Sequence, residues 1–279
     1  MFYQSGILLK SSIIENYSHF GIRHGFSTRE GGVSTLPHTR SLNLTMKLGD
    51  SDETVVENIS IFLRTVTDNA AGSDSAVIAS QIHSANVRLV DSSNRGEGTV
   101  KPRGEDGDGF CTDAEDVFPI VRAADCTPIV FCGLRTDFTP VVAAVHAGWR
   151  GTAAGIAGEA VRKMLSLGAE KETIAAAIGP HIGLCCYEVG EDFLASVREM
   201  AGADFAARHI VKADGDSAGK YHADLTGMNR EIIMSSGVRE EMIDVAEECT
   251  MCDTVKFFSH RGMNGRRGTQ GACIGIVKI

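Results

Sequence analysis

Five short apolar runs, AVIAS (76–80), NVRLV (86–90), FPIVRA (118–123), PIVFCG (128–133) and PVVAAV (140–145), follow one another with no helical pattern between them. Short runs of this kind, bounded by turn-forming residues, read as strands. A chain that seats so many consecutive strands needs a sheet, and the sheet needs helices to cover it. Helical spacing supplies those covers. Segment 51–66, SDETVVENISIFLRTV, opens with Ser51 and acidic residues and then places Val55, Ile59, Phe62 and Leu63 on one face. After Gly151 a stripe of Ala157, Ala160, Val161, Met164 and Leu165 runs to a stop at Gly168. Segments 190–201 and 224–236 also read as helices, the second with Asp224 as N-cap, while TIAAAIG (173–179) and ACIGIVKI (272–279) add strands. Several strands precede the next helix, so the order favours an α/β layered fold with a mixed sheet over a regular doubly wound one. There is no repeat and no obvious linker, and the most loop-like stretch is DSSNRGEGTVKPRGEDGDG (91–109). A single domain over 1–279 is expected.

The net charge of −9 argues against broad electrostatic attraction to nucleic acid or to an anionic membrane. An anionic ligand must therefore be held by a local basic site. No apolar run reaches the roughly 18 residues of a membrane span, and no basic segment precedes the apolar stretch near the N-terminus. A cytoplasmic protein is expected, and its eight Cys are expected to be reduced thiols.

The stretch VVAAVHAGWRGTAAGI (141–156) closes an apolar strand on His146 and passes through Gly148, Trp149, Arg150 and Gly151 into a helix. Its N–H groups after Gly151 can face an anion, the lone Trp offers a stacking face, and Arg150 is a fixed positive fork. A packed Trp and a satisfied core His would explain the same turn. Elsewhere His83 sits in the polar turn of SQIHSANVRLV, and Asp125 and Cys126 interrupt the apolar IVRAADCTPIVFC. A buried carboxylate beside a thiol needs a partner or a ligand. His83, Cys126 and His146 each lie at a strand end or turn. Two imidazoles and a thiolate make a three-ligand shell for Zn²⁺ with an open fourth position; equally, they make a Cys nucleophile served by a His.

The blocks HGFSTREGGVS (24–34), SLNLT (41–45), QIHSANV (81–87), DGFCT (108–112), ADCTPIVF (124–131), HAGWRGTAAGI (146–156), IGPHIGLCCYEVG (178–190) and FFSHRGMNGRRGTQGA (257–272) span nearly the whole chain. In this order they resemble the signature of the family first labelled multicopper polyphenol oxidases or laccase-domain proteins, since described as purine nucleoside phosphorylases and as peptidoglycan-editing factors. The resemblance implies a three-layer α/β sandwich with a mixed sheet, related to a bacterial toxin deamidase domain. It implies zinc held by His83, Cys126 and His146, the same three groups being catalytic. It further implies phosphorolysis of adenosine, inosine, guanosine and methylthioadenosine, together with adenosine deamination. Arg29 and Asn43 fall on motif positions near that site, Arg29 being the choice for phosphate. Gln81 of QIHSANV and Asp108 of the Asp-Gly block join them, and on its charge Arg150 is a second candidate to hold phosphate.

Under this resemblance Cys126 is a thiolate ligand. The alternative is a hydrolase that edits peptidoglycan precursors, with Cys126 as nucleophile and His146 or His83 as base. Copper polyphenol oxidation fits less well, because the nine His include no His-x-His pair for a further copper cluster, although a Cys-His-His site would also bind Cu²⁺. The chain departs from the family at His260, Arg261, Gly262 and Met263, where many members carry Arg-Arg-Asp, and Arg266 or Arg267 is the candidate to compensate. The lone Cys249-Thr-Met-Cys252 and the vicinal Cys185-Cys186 are read as packing, and His181 as structural. The acidic GEDGDG (104–109) lacks the spacing of a calcium loop.

Overall fold

A strand that is apolar at every position must be covered on both faces. The computed structural model, which describes residues 1–213 and 219–279, shows what covers these strands. The strands are β1 (Phe2–Ser5), β2 (Leu8–Ser11), β3 (Ile22–Ser27), β4 (Ala76–Val77), β5 (Val87–Leu89), β6 (Gly109–Thr112), β7 (Phe118–Ala123), β8 (Thr127–Leu134), β9 (Pro140–Ala147), β10 (Ala175–Ile178), β11 (Glu188–Gly190), β12 (Ile210–Lys212), β13 (Lys220–Ala223), β14 (Ile243–Val245) and β15 (Gln270–Ile276). The helices are α1 (Ser12–Glu15), α2 (Asp52–Val66), α3 (Trp149–Ala153), α4 (Ile156–Ser166), α5 (Glu191–Ala201), α6 (Ala203–His209) and α7 (Leu225–Ser235). Two six-stranded sheets run in the orders β1-β2-β3-β15-β7-β4 and β14-β10-β8-β9-β6-β5, and β11-β13-β12 form a three-stranded sheet. Both larger sheets are mixed, with β4 parallel to β7 in the first and β5 parallel to β6 and β10 to β14 in the second.

Alternation along the strands sorts the layers. Val130 and Cys132 of β8, Val142 and Ala144 of β9 and Ala175 and Ala177 of β10 share a core with Phe26, Val121, Ala272 and Ile274 of the first sheet. Their neighbours Ile129, Phe131, Val141, Ala143 and Ala176 pack instead on Ile156, Ala157, Ala160, Val161 and Met164 of α4. Phe118, Ile120 and Cys273, on the other face of the first sheet, meet Val55, Ile59, Phe62 and Leu63 of α2. The layers are therefore helix, sheet, sheet, helix. This keeps the mixed α/β character but corrects the expected three layers and single mixed sheet. The reason is that β1 to β3, which no long apolar run announces, join β15 and β7 in a sheet of their own. A separate core built on Val189, Leu194, Val197, Ile210 and Leu225 joins the three-stranded sheet to α5, α6 and α7. Among the described residues no helix is long and apolar enough to cross a membrane.

Helix signals place the ends well. Ser51 Oγ accepts from the Thr54 N–H at 3.2 Å to start α2, and Asp224 accepts from the Gly227 N–H at 2.9 Å to start α7. The helix expected after Gly151 instead begins at Trp149, with Gly148 as N-cap, and is broken by Gly155 at φ 81° before α4 starts. Gly151 is thus inside a short helix rather than ahead of a long one.

The buried Asn58 of α2 ties this outer helix to the loops that lead toward the site. Its Oδ1 accepts from the Val33 N–H at 2.8 Å, and its Nδ2 donates to Ser34 Oγ and to the Asn43 carbonyl, each at 2.9 Å. A buried polar group left without its partner costs about 1–3 kcal/mol. Asn58→Ala is expected to lower the unfolding free energy in urea by about 2 kcal/mol with an unchanged m-value; a midpoint equal to wild type would show that these bonds do not hold the loops.

Candidate active site

Strand register brings the chemistry together. Thr127 of β8 lies opposite Ala147 of β9 and Pro128 opposite His146, so Cys126, one residue earlier, falls beside Gly148. Gly109 of β6 lies opposite Val145, which sets Asp108 beside His146. The His146 N–H donates to the Asp108 carbonyl at 2.6 Å. Parallel pairing of Val87 with Gly109 brings the turn before β5, and with it His83, to the same end of the sheet. As a result, donor atoms of His83, Cys126 and His146 all lie within 4.8 Å of one another, with Cys126 Sγ 3.9 Å from His83 Nε2.

Asp108 is the hub of this arrangement. Its side chain is fully buried; Oδ1 accepts from the His83 N–H at 3.0 Å and faces His146 Nδ1 at 2.9 Å. Its Oδ2 accepts from the N–H groups of Ile82 at 3.2 Å and Ser84 at 2.6 Å and from Ser84 Oγ at 2.8 Å. Burial alone would raise the Asp108 pKa, but these donors hold it down at about 2. A carboxylate only accepts, so Nδ1 of His146 carries a proton and the other ring nitrogen serves the site. Burial would likewise raise the Cys126 thiol and lower His146. Their mutual attraction prevails, bringing Cys126 down to about 6 and lifting His146 with further help from Asp108. The pair is poised as thiolate and imidazolium, and a cation binding there would displace the imidazolium proton.

Two non-glycine residues here occupy left-handed backbone, His83 at φ 61° and Asp125 at φ 87°. Such conformations cost on the order of 1 kcal/mol and persist where neighbours fix them. Asp108 fixes the first. The second is the carboxylate that needed a partner: Thr250 Oγ1 donates to its Oδ1 at 2.7 Å and the Arg261 N–H to its Oδ2 at 2.6 Å. Gly148 is required by close approach, because a Cβ there would lie 2.7 Å from His83 Cδ2 and 3.3 Å from Cys126 Sγ.

The three donors open into a cavity of about 290 Å³ that straddles the ends of the two large sheets. The first sheet and its loops contribute Gln81, Arg122, Arg267 and Thr269, and the loop over 91–109 contributes Arg103. Arg122 is buried and donates to the Ala79 carbonyl at 2.8 Å and to Gln81 Oε1 at 3.3 Å, both uncharged acceptors. Burial lowers its pKa to about 10, so it stays charged at neutral pH. Arg267 Nε is buried with no hydrogen-bond partner among the described residues.

Of the residues expected at the site, Gln81 lines the cavity and clasps Arg122, donating to its carbonyl at 2.7 Å and accepting from its N–H at 2.9 Å. Asp108 stands behind the donors. Arg29, Asn43 and Arg150 are not among the residues that line the cavity. Arg29 spends its guanidinium on the carbonyls of Arg40 and Thr254 and covers the Phe258 ring at 4.5 Å. Asn43 is buried and acts one bond removed, its Oδ1 accepting from the N–H groups of Thr45 at 3.1 Å and Thr269 at 3.2 Å. Arg150 is exposed and stacks on Trp149 at 4.3 Å, while Trp149 packs on Phe193 at 4.9 Å and is not a stacking face in this cavity. The positive charge comes instead from Arg103, Arg122 and Arg267, and of the two candidates to compensate for the family departure only Arg267 lines the cavity. Arg122 had a sequence signal, a charge at the end of the apolar FPIVRA run. His181 is buried between the Gly179 carbonyl and Thr226 Oγ1, each at 2.8 Å, in a structural role. The packing expectation for the other cysteines is corrected, because Cys185 and Cys252 are exposed and meet Cys186 and Cys249 in one cluster.

A family model described as multi-copper polyphenol oxidoreductase laccase matches residues 23–277. The chain belongs to this family. Purine nucleoside phosphorylase YlmD of Bacillus subtilis (strain 168) is 33% identical over 281 residues, covering 98% of this chain and 95% of its own length. Adenosine deaminase RL5, from an unknown prokaryotic organism, is 31% identical over 251 residues, covering 88% of this chain and 92% of its own. The crystal structure of YlmD from Geobacillus stearothermophilus matches at a TM-score of 0.83 and 31% identity over 99% of both chains. That of Bacillus licheniformis hypothetical protein YfiH matches at 0.85 and 28% identity over 99% and 98%. These named laccase-family relatives include enzymes, and this chain is an enzyme of the same kind.

Groups that orient metal ligands typically govern 10–100-fold in metal affinity. Asp108→Asn is expected to weaken metal binding at His83, Cys126 and His146 by roughly that factor in a competition titration against a chromophoric chelator, and Gly148→Ala to weaken it through the crowding of His83 and Cys126. Wild-type affinity in both folded variants would show that neither shapes the donor set.

Proposed function

We propose that this chain is a zinc-dependent purine nucleoside phosphorylase acting on adenosine, inosine, guanosine and methylthioadenosine, with adenosine deaminase activity in the same cavity. The observation that carries this reading is the meeting, in one cavity of a chain with net charge −9, of a His-Cys-His donor set with Arg103, Arg122 and Arg267, whose Nε has no partner among the described residues. An anion site holds the phosphate, and a metal site beside it can take up the charge of a departing purine. The names of the relatives supply the class of base. The same reading takes the chain as one unit over 1–279, acting in the cytoplasm on purine nucleosides and phosphate and on neither nucleic acid nor membrane. A relation of the fold to toxin deamidase domains belongs to it too, supported by the pairing of Cys126 with His146.

The donor set fits zinc: two imidazoles and a thiolate, close enough to share one ion, with Asp108 orienting His146. Copper would bind the same three groups, but zinc suits a non-redox reaction. When bound, zinc supplies a Lewis acid to the departing base or, in deamination, to the water that attacks. The protein's own groups do the rest. Arg103, Arg122 and Arg267 hold the phosphate dianion by charge-assisted hydrogen bonds. A phosphate oxygen attacks C1′ of the ribose and the C1′–N9 bond breaks. Its electron pair leaves with the purine, which takes a proton from water. Gln81 holds Arg122 at the end of β7, and Asp108 keeps His146 and the His83 turn in register.

A second reading is favoured by one observation, the chain Cys126, His146, Asp108, which is also the arrangement of a thiol hydrolase. It would edit peptidoglycan precursors with Cys126 as nucleophile. Chelation separates the two, since a thiol hydrolase survives chelator and fails on alkylation.

The deciding assay is phosphate-dependent release of base from adenosine and inosine by zinc-quantified protein. Cys126→Ala is expected to abolish release. Arg267→Ala removes hydrogen bonds to a charged ligand worth about 1.5–3 kcal/mol, so the phosphate KM should rise at least about tenfold. No release by fully zinc-loaded wild type would overturn the reading, and hydrolysis of muramyl peptide amides that tolerates chelator would install the second one.

A further inference from the structure

The most concentrated set of soft donors outside the cavity is formed by Cys185, Cys186, Cys249 and Cys252, whose sulfurs all lie within 4.8 Å of one another. Cys185 Sγ and Cys186 Sγ are 3.6 Å apart, Cys185 and Cys252 3.6 Å, and Cys186 and Cys252 3.4 Å. All four are free thiols. Packing does not account for them, because Cys185 and Cys252 are exposed. Disulfides do not account for the spacing either: bonded sulfurs sit about 2.05 Å apart, and here Cys185, Cys186 and Cys252 are mutual neighbours at 3.4–3.6 Å. Four thiolates around one tetrahedral zinc at about 2.3 Å have edges of roughly 3.8 Å. The observed separations approach that figure.

The backbone around the cluster is arranged for thiolates. The Gly183 N–H donates to Cys249 Sγ at 3.2 Å. A Cys-x-x-Cys turn thus faces a second pair of cysteines from a different loop, whose Gly183 amide serves its first sulfur. Sequence alone showed one pair and a distant vicinal pair, and the fold joins them through the bridge between His181 and Cys249.

We propose that Cys185, Cys186, Cys249 and Cys252 form a second metal site, a four-thiolate structural zinc centre that staples the loop over 181–187 to the loop over 249–253. All four positions of the ion are filled by protein, so it takes no part in catalysis. Its effect on the active site is mechanical. Thr250, between Cys249 and Cys252, accepts no freedom once both are ligated: its N–H donates to the His181 carbonyl at 2.9 Å and its Oγ1 to Asp125 Oδ1 at 2.7 Å. Asp125 adjoins Cys126, and the staple therefore holds the strained turn that presents this ligand.

The test is metal counting on the full chain and needs no substrate; the first of the two ions rests on the proposed zinc at His83, Cys126 and His146, and the second is read by its survival in Cys126→Ala. Elemental analysis of protein purified without chelator should find about two zinc ions per wild-type chain, and about one in Cys126→Ala and in Cys249→Ser/Cys252→Ser. Should the double variant fail to fold, Cys126→Ala loaded with cobalt(II) decides. Its spectrum should show the intense thiolate-to-cobalt charge transfer and tetrahedral d–d bands of a four-sulfur site. One zinc per wild-type chain that disappears in Cys126→Ala, iron in place of zinc, or a disulfide among the four cysteines in peptides from unreduced protein would each overturn the proposal.

Discussion

A single buried carboxylate organises the whole centre. Asp108 gathers three consecutive backbone N–H groups, a hydroxyl and an imidazole around its two oxygens. An ionised carboxylate so far from water is tolerable only with that many donors. The donors in turn are tolerable in their positions only because the carboxylate is there. His83 holds a left-handed backbone, and His146 a fixed tautomer, through the same group. Local strain, ligand orientation and burial of charge thus compensate one another within a few ångströms, and the strands around them supply register.

Much of this was legible in the sequence. Alternation and run length marked β7, β8 and β9 almost to the residue, and capping chemistry marked the starts of α2 and α7. His83, Cys126 and His146 each had a bland explanation alone, as a loop or core residue, and it was the family resemblance that singled them out as a set. What the sequence left open was the pairing of strands that are short or amphipathic. β1, β2 and β3 carry too little periodicity to announce a second sheet, and a run that is apolar throughout does not say whether a helix or another sheet lies on each side.

The basic residues illustrate a different limit. Arg29, in a motif block, and Arg150, in a Gly-rich turn, had the better local arguments, yet one spends its donors on carbonyls and the other stacks on Trp149 in solvent. A guanidinium's reach is long and its destination is tertiary. Arg122 and Arg267 face the cavity because strand ends from the first sheet meet loops from the second. The four-cysteine cluster was hidden for the same reason, since neither pair is informative until the chain folds back.

The cavity lies across a seam. Its soft donors ride on one sheet and most of its guanidinium groups at strand ends of the other, and the distance between them is set by how closely Phe26, Val121, Val130, Val142 and Ile274 interleave. The apolar filling between the sheets is consequently a spacer that gauges the span between reacting groups. A change of side-chain size deep in that filling would retune which ligands bridge the gap, and the seam lets selectivity drift while the donor set itself is left intact.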